Sequence, residues 1–150
     1  METIQLLLAE DNETDAELAV AALRNFCPAQ FIEHVVDGPE VLDYLFGTGK
    51  YAEKKPALPK LILLDLKLPK LTGLEVLKIV KSHEDTKHIP IVMLTSSKQE
   101  SDVQTAYALG VNSYIVKPVG FEKYMEVLKS VGQYWMMANE PALRREKNTV

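Results

Sequence analysis

The sequence contains a single cysteine, Cys27, so no disulfide can form within the chain, which suits a reducing compartment. With no second thiol and no histidine at ligand spacing, Cys27 is better explained as a packing residue than as a nucleophile. No apolar run approaches the roughly 20 residues that span a membrane, and Met1, Glu2 and Thr3 lack the basic start of a secretory signal. These absences predict a cytoplasmic protein with no membrane segment.

Positive charge is also scarce. The chain has 17 Lys and Arg residues against 21 Asp and Glu residues, which gives a net charge of −4. A surface that binds duplex DNA usually carries a basic patch, so this balance argues against direct nucleic-acid binding. The 150 residues show no internal repeat and are a common length for one domain. We therefore expect one domain over residues 1–138 and a polar tail over 139–150.

What the chain does contain is a set of short apolar segments that end in polar residues. Segments this apolar are typical of strands buried on both faces of a parallel sheet. Ligands of such sheets bind outside the carboxyl ends of the strands, so we expect the polar residues to surround one crevice. The segments and the residues that follow them are 4–9 with Glu10 and Asp11, 61–64 with Asp65, 91–94 with Thr95, and 114–116 with Lys117.

Helical patterns alternate with these strands and with a further strand predicted at 31–36. The five β-α pairs predict an α/β fold of the (βα)5 type, a five-stranded parallel sheet with helices on both faces. The predicted helices lie at 12–26, 37–47, 72–80, 97–110 and 121–135. Three helix starts show the spacing of a capping box, namely Asp37 with Glu40, Thr72 with Glu75, and Ser97 with Glu100.

Two segments depart from this alternation. The loop at 47–60 is longer than most connections between strands and helices, and a tolerated surface insertion is a sufficient explanation for it. Residues 134–137 (YWMM) are apolar on more than one face of the last helix. This surplus predicts a homodimer through the C-terminal helix face, flanked by the helix around 103–107 and anchored by Trp135. The alternative is that Trp135 closes the core of its own chain.

Three of the expected crevice residues are carboxylates. Glu10, Asp11 and Asp65 would be costly together unless a cation lay among them, and their hard oxygen atoms suit Mg2+, or Mn2+, better than zinc. One carboxylate can accept a phosphoryl group as an acyl phosphate, while Lys117 and Thr95 can bind the phosphoryl oxygens. Taken singly, each residue has a plainer role as a helix cap or a solvated charge. Their shared position at strand ends favours phosphoryl chemistry.

Four stretches carry a more specific signal: 7–12 (LLAEDN), 64–73 (LDLKLPKLTG), 92–96 (VMLTS) and 114–118 (YIVKP). In this order they resemble the motifs of two-component response-regulator receiver domains, the CheY-like fold, and the resemblance extends from residue 4 into the last helix. The loop at 47–60 is similar to that of single-domain regulators paired with bacterial phytochrome histidine kinases.

This resemblance implies that Asp65 accepts a phosphoryl group from a histidine of a sensor kinase. It also implies a Mg2+ or Mn2+ site in which Glu10, Asp11, Asp65 and the backbone carbonyl of Lys67 are the protein ligands. A chain of this kind is a signalling domain that catalyses only its own phosphorylation and dephosphorylation. Few residues follow the last predicted helix, so we expect an output through protein-protein contact rather than through a DNA-binding domain.

The same resemblance implies a conformational switch. Thr95 and Tyr114 would be the switch pair, Lys117 would contact the phosphoryl group, and the bond from Lys117 to Pro118 would be cis. A phosphoryl group adds about −1.5 to −2 of charge, toward which Thr95 can move. The space that Thr95 leaves can admit the Tyr114 ring, which is a bistable change of packing.

Three other classes of protein are consistent with parts of the pattern. A haloacid-dehalogenase-type phosphatase needs a second acid two residues after its nucleophile, and this chain has Lys67 there. A nucleotide or flavin binder needs a Gly, Ser or Thr phosphate loop after the first strand, where this chain has Glu10 and Asp11. A phosphorylation-independent scaffold on the receiver fold is the serious alternative, and the intact phosphorylation residues argue against it.

Overall fold

The computed structural model describes residues 4–142 and confirms the predicted sheet. Five parallel strands lie in the order β2-β1-β3-β4-β5, the flavodoxin-like order. The strands are Leu6–Ala9 (β1), Ile32–Val35 (β2), Leu61–Leu64 (β3), Ile91–Thr95 (β4) and Ser113–Val116 (β5). The helices are Glu13–Leu23 (α1), Gly38–Phe46 (α2), Gly73–Ser82 (α3), Glu100–Ala108 (α4) and Phe121–Gly132 (α5). The first three residues and the predicted tail beyond residue 142 lie outside the described part.

The apolar strands pack on both faces because each contributes alternate residues to two cores. Leu7 and Ile62 belong to the core beneath α2, α3 and α4, whereas Leu6 and Leu63 belong to the core beneath α1 and α5. Every residue of β1, β3 and β4 is buried. The two layers of helices thus hold the strand ends in fixed positions. Within residues 4–142, no helix combines the length and the apolar character that crossing a bilayer requires.

Two of the three predicted helix starts are confirmed. Asp37 Oδ1 accepts a hydrogen bond of 2.8 Å from the Glu40 N–H. Thr72 and Glu75 form both halves of a capping box, and α3 follows. The third prediction, a box of Ser97 with Glu100, is wrong. The α4 helix begins at Glu100 after Gln99, because the Ser97 hydroxyl instead donates to Asp102 Oδ2 at 2.6 Å.

The last helix also differs from the prediction of a regular helix to Trp135. The α-helical part ends at Gly132, and a π-helical segment follows over Gln133–Ala138. A Cβ at Gly132 would lie 3.1 Å from Leu23 Cδ2, at the end of α1, and 2.7 Å from Phe26 Cδ2 just beyond it, so α5 approaches the end of α1 closely there. Beyond this point Met136 turns inward and is buried, and its carbonyl accepts a hydrogen bond from Lys60 Nζ at 3.2 Å.

The peptide bond between Lys117 and Pro118 also differs from the expectation. The resemblance implied a cis bond, but all peptide bonds in the described part of the chain are trans. The trans form of a bond before proline is favoured by only about 0.5–1 kcal/mol, so the sequence alone does not fix the isomer.

The loop at 47–60 is fastened to its surroundings rather than projecting freely. It contains a 3-10 turn at Gly49–Tyr51. The Tyr51 hydroxyl donates to Glu33 Oε2 at 2.9 Å, and the Tyr51 ring packs edge-on against Tyr44 with centroids 5.1 Å apart. Lys50 forms an ion pair of 2.7 Å with Glu40. Side chains of the loop therefore contact β2 and both ends of α2.

Candidate functional site

The carboxyl ends of β1, β3 and β5 bring three predicted residues together. Glu10 follows β1, Asp65 follows β3 and Lys117 follows β5. Glu10 is only 3% exposed and Asp65 only 8% exposed. The Lys117 ammonium donates to Glu10 Oε1 at 2.6 Å and to Asp65 Oδ2 at 3.1 Å. The crevice expected from the sequence exists, and Lys117 is its centre rather than a solvated charge.

The third contact of the lysine was not predicted. Lys117 Nζ also donates to Asp15 Oδ2 at 3.0 Å, from the first turn of α1. The only sequence signal for this contact is position, because an acid in the first turn after a strand end lies above that end. Acids are common in first turns for their effect on the helix dipole, so the signal is weak.

The electrostatics of the site follow from burial and from this crowding of charge. Burial lowers the pKa of Lys117, but its hydrogen bond to Glu10 and the charge of Asp65 outweigh that effect and raise the pKa above its ordinary value. Burial raises the pKa of Glu10 to about 7, and hydrogen bonds from Lys117 and from the Asn12 N–H offset only part of the rise. The site holds more negative charge than one ammonium neutralises.

That excess suits a divalent cation. Oxygen atoms of Glu10, Asp11 and Asp65 lie within 4.8 Å of one another. All are hard carboxylate oxygens, the donors that Mg2+ and Mn2+ prefer, and Asp11 is exposed at the mouth of the crevice. The backbone of Lys67 lies against the same site, since its N–H donates to Asp65 Oδ1 at 3.1 Å. The residues present therefore fit a divalent metal ion.

The two predicted switch residues meet at a third residue. Thr95 is fully buried, and its Oγ1 accepts a hydrogen bond of 3.3 Å from the Ser97 N–H. The Tyr114 hydroxyl donates to the Ser97 carbonyl at 2.9 Å, while its ring packs on the core beneath α2, α3 and α4. Ser97 thus links Thr95 to Tyr114 through its own backbone. The sequence analysis assigned Ser97 only a capping role and missed this connection.

The surplus apolar residues of the last helix are divided between core and surface. Trp135 is half-buried and packs on the core beneath α1 and α5, and Met136 is buried. Tyr134 is 54% exposed and Met137 is 66% exposed. On the predicted flanking helix, Tyr107 is also exposed. The exposed apolar positions at this end of the molecule are therefore Tyr134 and Met137 rather than Trp135.

Comparisons with known proteins agree with this geometry. A sequence model described as the response regulator receiver domain matches residues 6–129. The probable methanogenesis regulatory protein FilR2 of Methanothrix harundinacea is 39% identical over 134 residues, which cover 87% of this chain and 83% of FilR2. Response regulator Rcp1 of Synechocystis is 36% identical over 131 residues, which cover 87% of this chain and 88% of Rcp1.

Solved structures give the same result. The phosphorylated cyanobacterial phytochrome response regulator RcpA superposes with a TM-score of 0.87 at 36% identity, covering 94% of this chain and 99% of RcpA. The Mn2+-bound form of Rcp1 superposes with a TM-score of 0.83 at 33% identity, covering 92% of this chain and 98% of that one. Both neighbours share the receiver architecture that the strand order shows here.

Proposed function

The chain belongs to the response regulator receiver domain family, and on this premise we propose that Asp65 accepts a phosphoryl group from a histidine of a sensor kinase. The observation that carries the proposal is the hydrogen bond of 3.1 Å from the Lys117 ammonium to Asp65 Oδ2. Asp65 also belongs to the trio of acids that suits a metal ion. Receiver domains are signalling domains that interact with histidine kinases, and they bind a divalent metal ion.

The proposed reaction needs few groups from the protein. An Asp65 oxygen attacks the phosphorus atom of a phosphohistidine, the P–N bond breaks, and an acyl phosphate forms on Asp65. The Lys117 ammonium lies next to Asp65 and can pair with a phosphoryl oxygen as charge develops there. The Lys67 N–H, which already donates to Asp65 Oδ1, keeps the carboxylate oriented.

We assign the metal site to Glu10, Asp11, Asp65 and the backbone carbonyl of Lys67, with Mg2+ as the physiological ion and Mn2+ as a substitute. A bound divalent ion supplies positive charge to the phosphoryl oxygens during transfer. Asp11 is the exposed member of the trio, so Asp11→Ala removes a ligand without opening the core. We expect this variant to bind Mg2+ more weakly and to stop accepting phosphate, whereas Cys27→Ala should do neither.

The switch that follows phosphorylation is assigned to Thr95 and Tyr114. A phosphoryl group on Asp65 offers new acceptor oxygens to the Thr95 hydroxyl. If Thr95 turns toward them, its contact with the Ser97 N–H is lost. The Ser97 carbonyl holds the Tyr114 hydroxyl, so the position of the tyrosine ring responds to the same event. The proposed output surface comprises α4, β5 and α5.

We propose a phytochrome-type histidine kinase as the cognate partner, acting in the cytoplasm. Support comes from RcpA and Rcp1, because the former is described as a phytochrome response regulator and both superpose over nearly their whole length. FilR2 is a probable methanogenesis regulatory protein, so family membership by itself does not fix the partner. Phosphotransfer from a phytochrome kinase should therefore exceed transfer from an unrelated sensor kinase of equal autophosphorylation.

The decisive experiment is incubation with acetyl phosphate and Mg2+, followed by intact mass measurement. The parent chain should gain one phosphoryl group, and Asp65→Asn should gain none. Asp85→Asn, which changes an exposed aspartate outside the crevice, is the matched control and should label like the parent. Full labelling of Asp65→Asn would refute the assignment. A parent that never labels would favour the alternative, a phosphorylation-independent scaffold on the receiver fold.

A homodimer through the C-terminal helix face is the second part of the proposal. Tyr134 and Met137 expose large apolar surface at the end of this helix, and such surface is commonly covered by a partner. The double variant Tyr134→Glu with Met137→Glu should sediment as a folded monomer where the parent sediments as a dimer. Phe121→Glu changes an exposed apolar residue at the other end of α5 and serves as control. A parent that is monomeric with and without phosphorylation would refute the dimer.

A further inference from the structure

Asp15 differs from the other acids around Lys117 in one respect. Glu10 and Asp65 each belong both to the lysine's contacts and to the trio of acids that fits a divalent ion. Asp15 contacts the lysine at 3.0 Å but stands outside that trio. Asp15 is therefore the one of the lysine's three carboxylate partners that does not belong to the proposed metal site.

The backbone of Asp15 is held at both of its polar groups. Its N–H donates a hydrogen bond of 2.9 Å to the side chain of Asn12, the N-cap residue of α1. Its carbonyl accepts a hydrogen bond of 3.4 Å from the hydroxyl of Tyr124, a buried residue of α5. The helix cap and the neighbouring helix thus fix the backbone of Asp15 at a position from which its carboxylate reaches Lys117.

A site for both a divalent ion and a lysine faces a conflict. Both cations are attracted to Glu10 and Asp65, and they repel each other across a few ångströms in surroundings where charge is poorly screened. A lysine bound only by those two acids would compete with the metal ion for the same oxygens. A separate acid that draws the ammonium aside reduces this competition and also adds negative charge to the site.

We propose that Asp15 is a positioning residue that holds Lys117 within reach of Asp65 while leaving Glu10 and Asp65 available to the divalent ion. This inference rests on the proposed phosphoacceptor function and deepens it, because it explains how metal ion and lysine act on one carboxylate together. Asp15 itself contacts neither the metal ion nor the phosphoryl group. Its effect on metal binding passes through Lys117.

The test is a double-mutant cycle read by Mn2+ binding, with free Mn2+ measured by electron paramagnetic resonance. Asp15→Asn keeps the shape of the side chain and removes its charge. With Lys117 present, this change should weaken Mn2+ binding about three- to tenfold, the range expected for coupled neighbours. In the Lys117→Met background, the same change should weaken binding by less than about twofold, because the competing ammonium is gone.

Two further variants distinguish positioning from general charge. Asp15→Glu retains a carboxylate on the same turn and should restore most of the affinity. Glu17→Gln removes one negative charge from an exposed position on the same helix and should change Mn2+ affinity little. An equal loss in Glu17→Gln, or an equal loss from Asp15→Asn with and without Lys117, would overturn the inference. So would an unchanged affinity in Asp15→Asn.

The cycle is separable from the test of function. If the parent binds Mn2+ and shows the expected coupling but accepts no phosphoryl group, the phosphoacceptor function fails and the role of Asp15 toward the lysine stands. If the parent is phosphorylated on Asp65 but the coupling is absent, only the role of Asp15 fails. A parent that binds no Mn2+ would overturn the role of Asp15, while labelling of Asp65 would still decide the phosphoacceptor function.

Discussion

Two partly buried lysines at opposite ends of the sheet show how the hydrogen-bond partners of a cation determine its role. Each donates three hydrogen bonds. Those of Lys117, at the carboxyl ends of the strands, go to the carboxylates of Glu10, Asp15 and Asp65. Those of Lys81, at the end of α3, go to neutral oxygens: the carbonyls of Lys87 and Ile89 and the side chain of Asn112. The two lysines donate the same number of hydrogen bonds, but only the acceptors around Lys117 are negatively charged.

The difference appears in the two pKa values. Burial lowers the pKa of Lys81 to about 8, because no carboxylate among its hydrogen-bond partners compensates for the loss of hydration. The pKa of Lys117 is raised, because its acids outweigh burial. Carboxylates can exchange an ammonium for a metal ion, and an ammonium can exchange carboxylates for a phosphoryl group. The carbonyls around Lys81 offer no such exchange, so Lys81 fastens the end of α3 to the segments that precede β4 and β5.

The largest expected effect separates the two lysines by activity. Lys117→Met should slow labelling by acetyl phosphate about 10²- to 10³-fold, since it removes a charged donor to the transferring group. Lys81→Met should label at the parental rate, because it lies at the other end of the sheet. Time courses of intact mass measure both rates. Equal slowing in the two variants would contradict a specific role of Lys117 in phosphoryl transfer.

The next effect concerns stability, for which Lys81 is the lysine that we expect to matter. Lys81→Met removes a charged donor from the carbonyls of Lys87 and Ile89, which should lower the free energy of unfolding by about 1–3 kcal/mol. Lys78→Met alters an exposed lysine of the same helix and should change it by less than about 0.5 kcal/mol. Urea denaturation of the three proteins gives the values. A Lys81→Met variant as stable as the parent would refute the proposal that Lys81 stabilises the packing at the end of α3.

A third lysine sharpens the comparison near the site. Lys67 has an exposed side chain two residues after Asp65, and its N–H binds Asp65 Oδ1. A long cation there can reach the phosphoryl group or block the attacking water. We expect Lys67→Ala to lose its phosphoryl group several-fold faster than the parent, with Lys78→Ala as control. Identical decay of the mass-shifted species in Lys67→Ala and the parent would refute this role.

The smallest expected effect is a pH dependence of stability. The folded pKa of Lys81 lies near 8 and its ordinary value is 10.5, so the folded chain binds fewer protons than the unfolded chain between these values. The contribution of Lys81 to stability should therefore rise with pH across this window. Urea midpoints at both ends of the window should shift upward more in the parent than in Lys81→Met. A shift of equal size in the two proteins would contradict the lowered pKa.

Local and periodic features were predictable from the sequence. The apolar strands and the polar residues after them predicted the crevice, because a parallel sheet places all carboxyl ends at one edge. The caps at Asp37 and Thr72 were predictable because both partners lie within four residues. The failed box at Ser97 has the same spacing, but contacts with Asp102 and Tyr114 occupy that residue instead.

Features that depend on contacts between distant elements were not predictable. Asp15 joins Lys117 only because the first turn of α1 lies beside the residue that follows β5, although the two residues are 102 positions apart in the chain. The π-helical segment after Gly132 lies beside two contacts with distant residues, namely the close approach of Gly132 to Phe26 and the hydrogen bond from Lys60 to the Met136 carbonyl. Neither leaves a periodic trace in the sequence, so propensity and patterning could not reveal them.

The span between Glu10 and Lys117 has a consequence for synthesis of the protein. The two residues are 107 positions apart, and Lys117 follows β5, the edge strand that pairs only with β4. A growing chain emerges from its N-terminus onward, so Asp65 and both acids after β1 are synthesised well before Lys117. Until β5 docks, Lys117 cannot neutralise those acids. An unfinished chain therefore lacks the lysine of the site, and the assembled centre exists only after β5 has docked on β4.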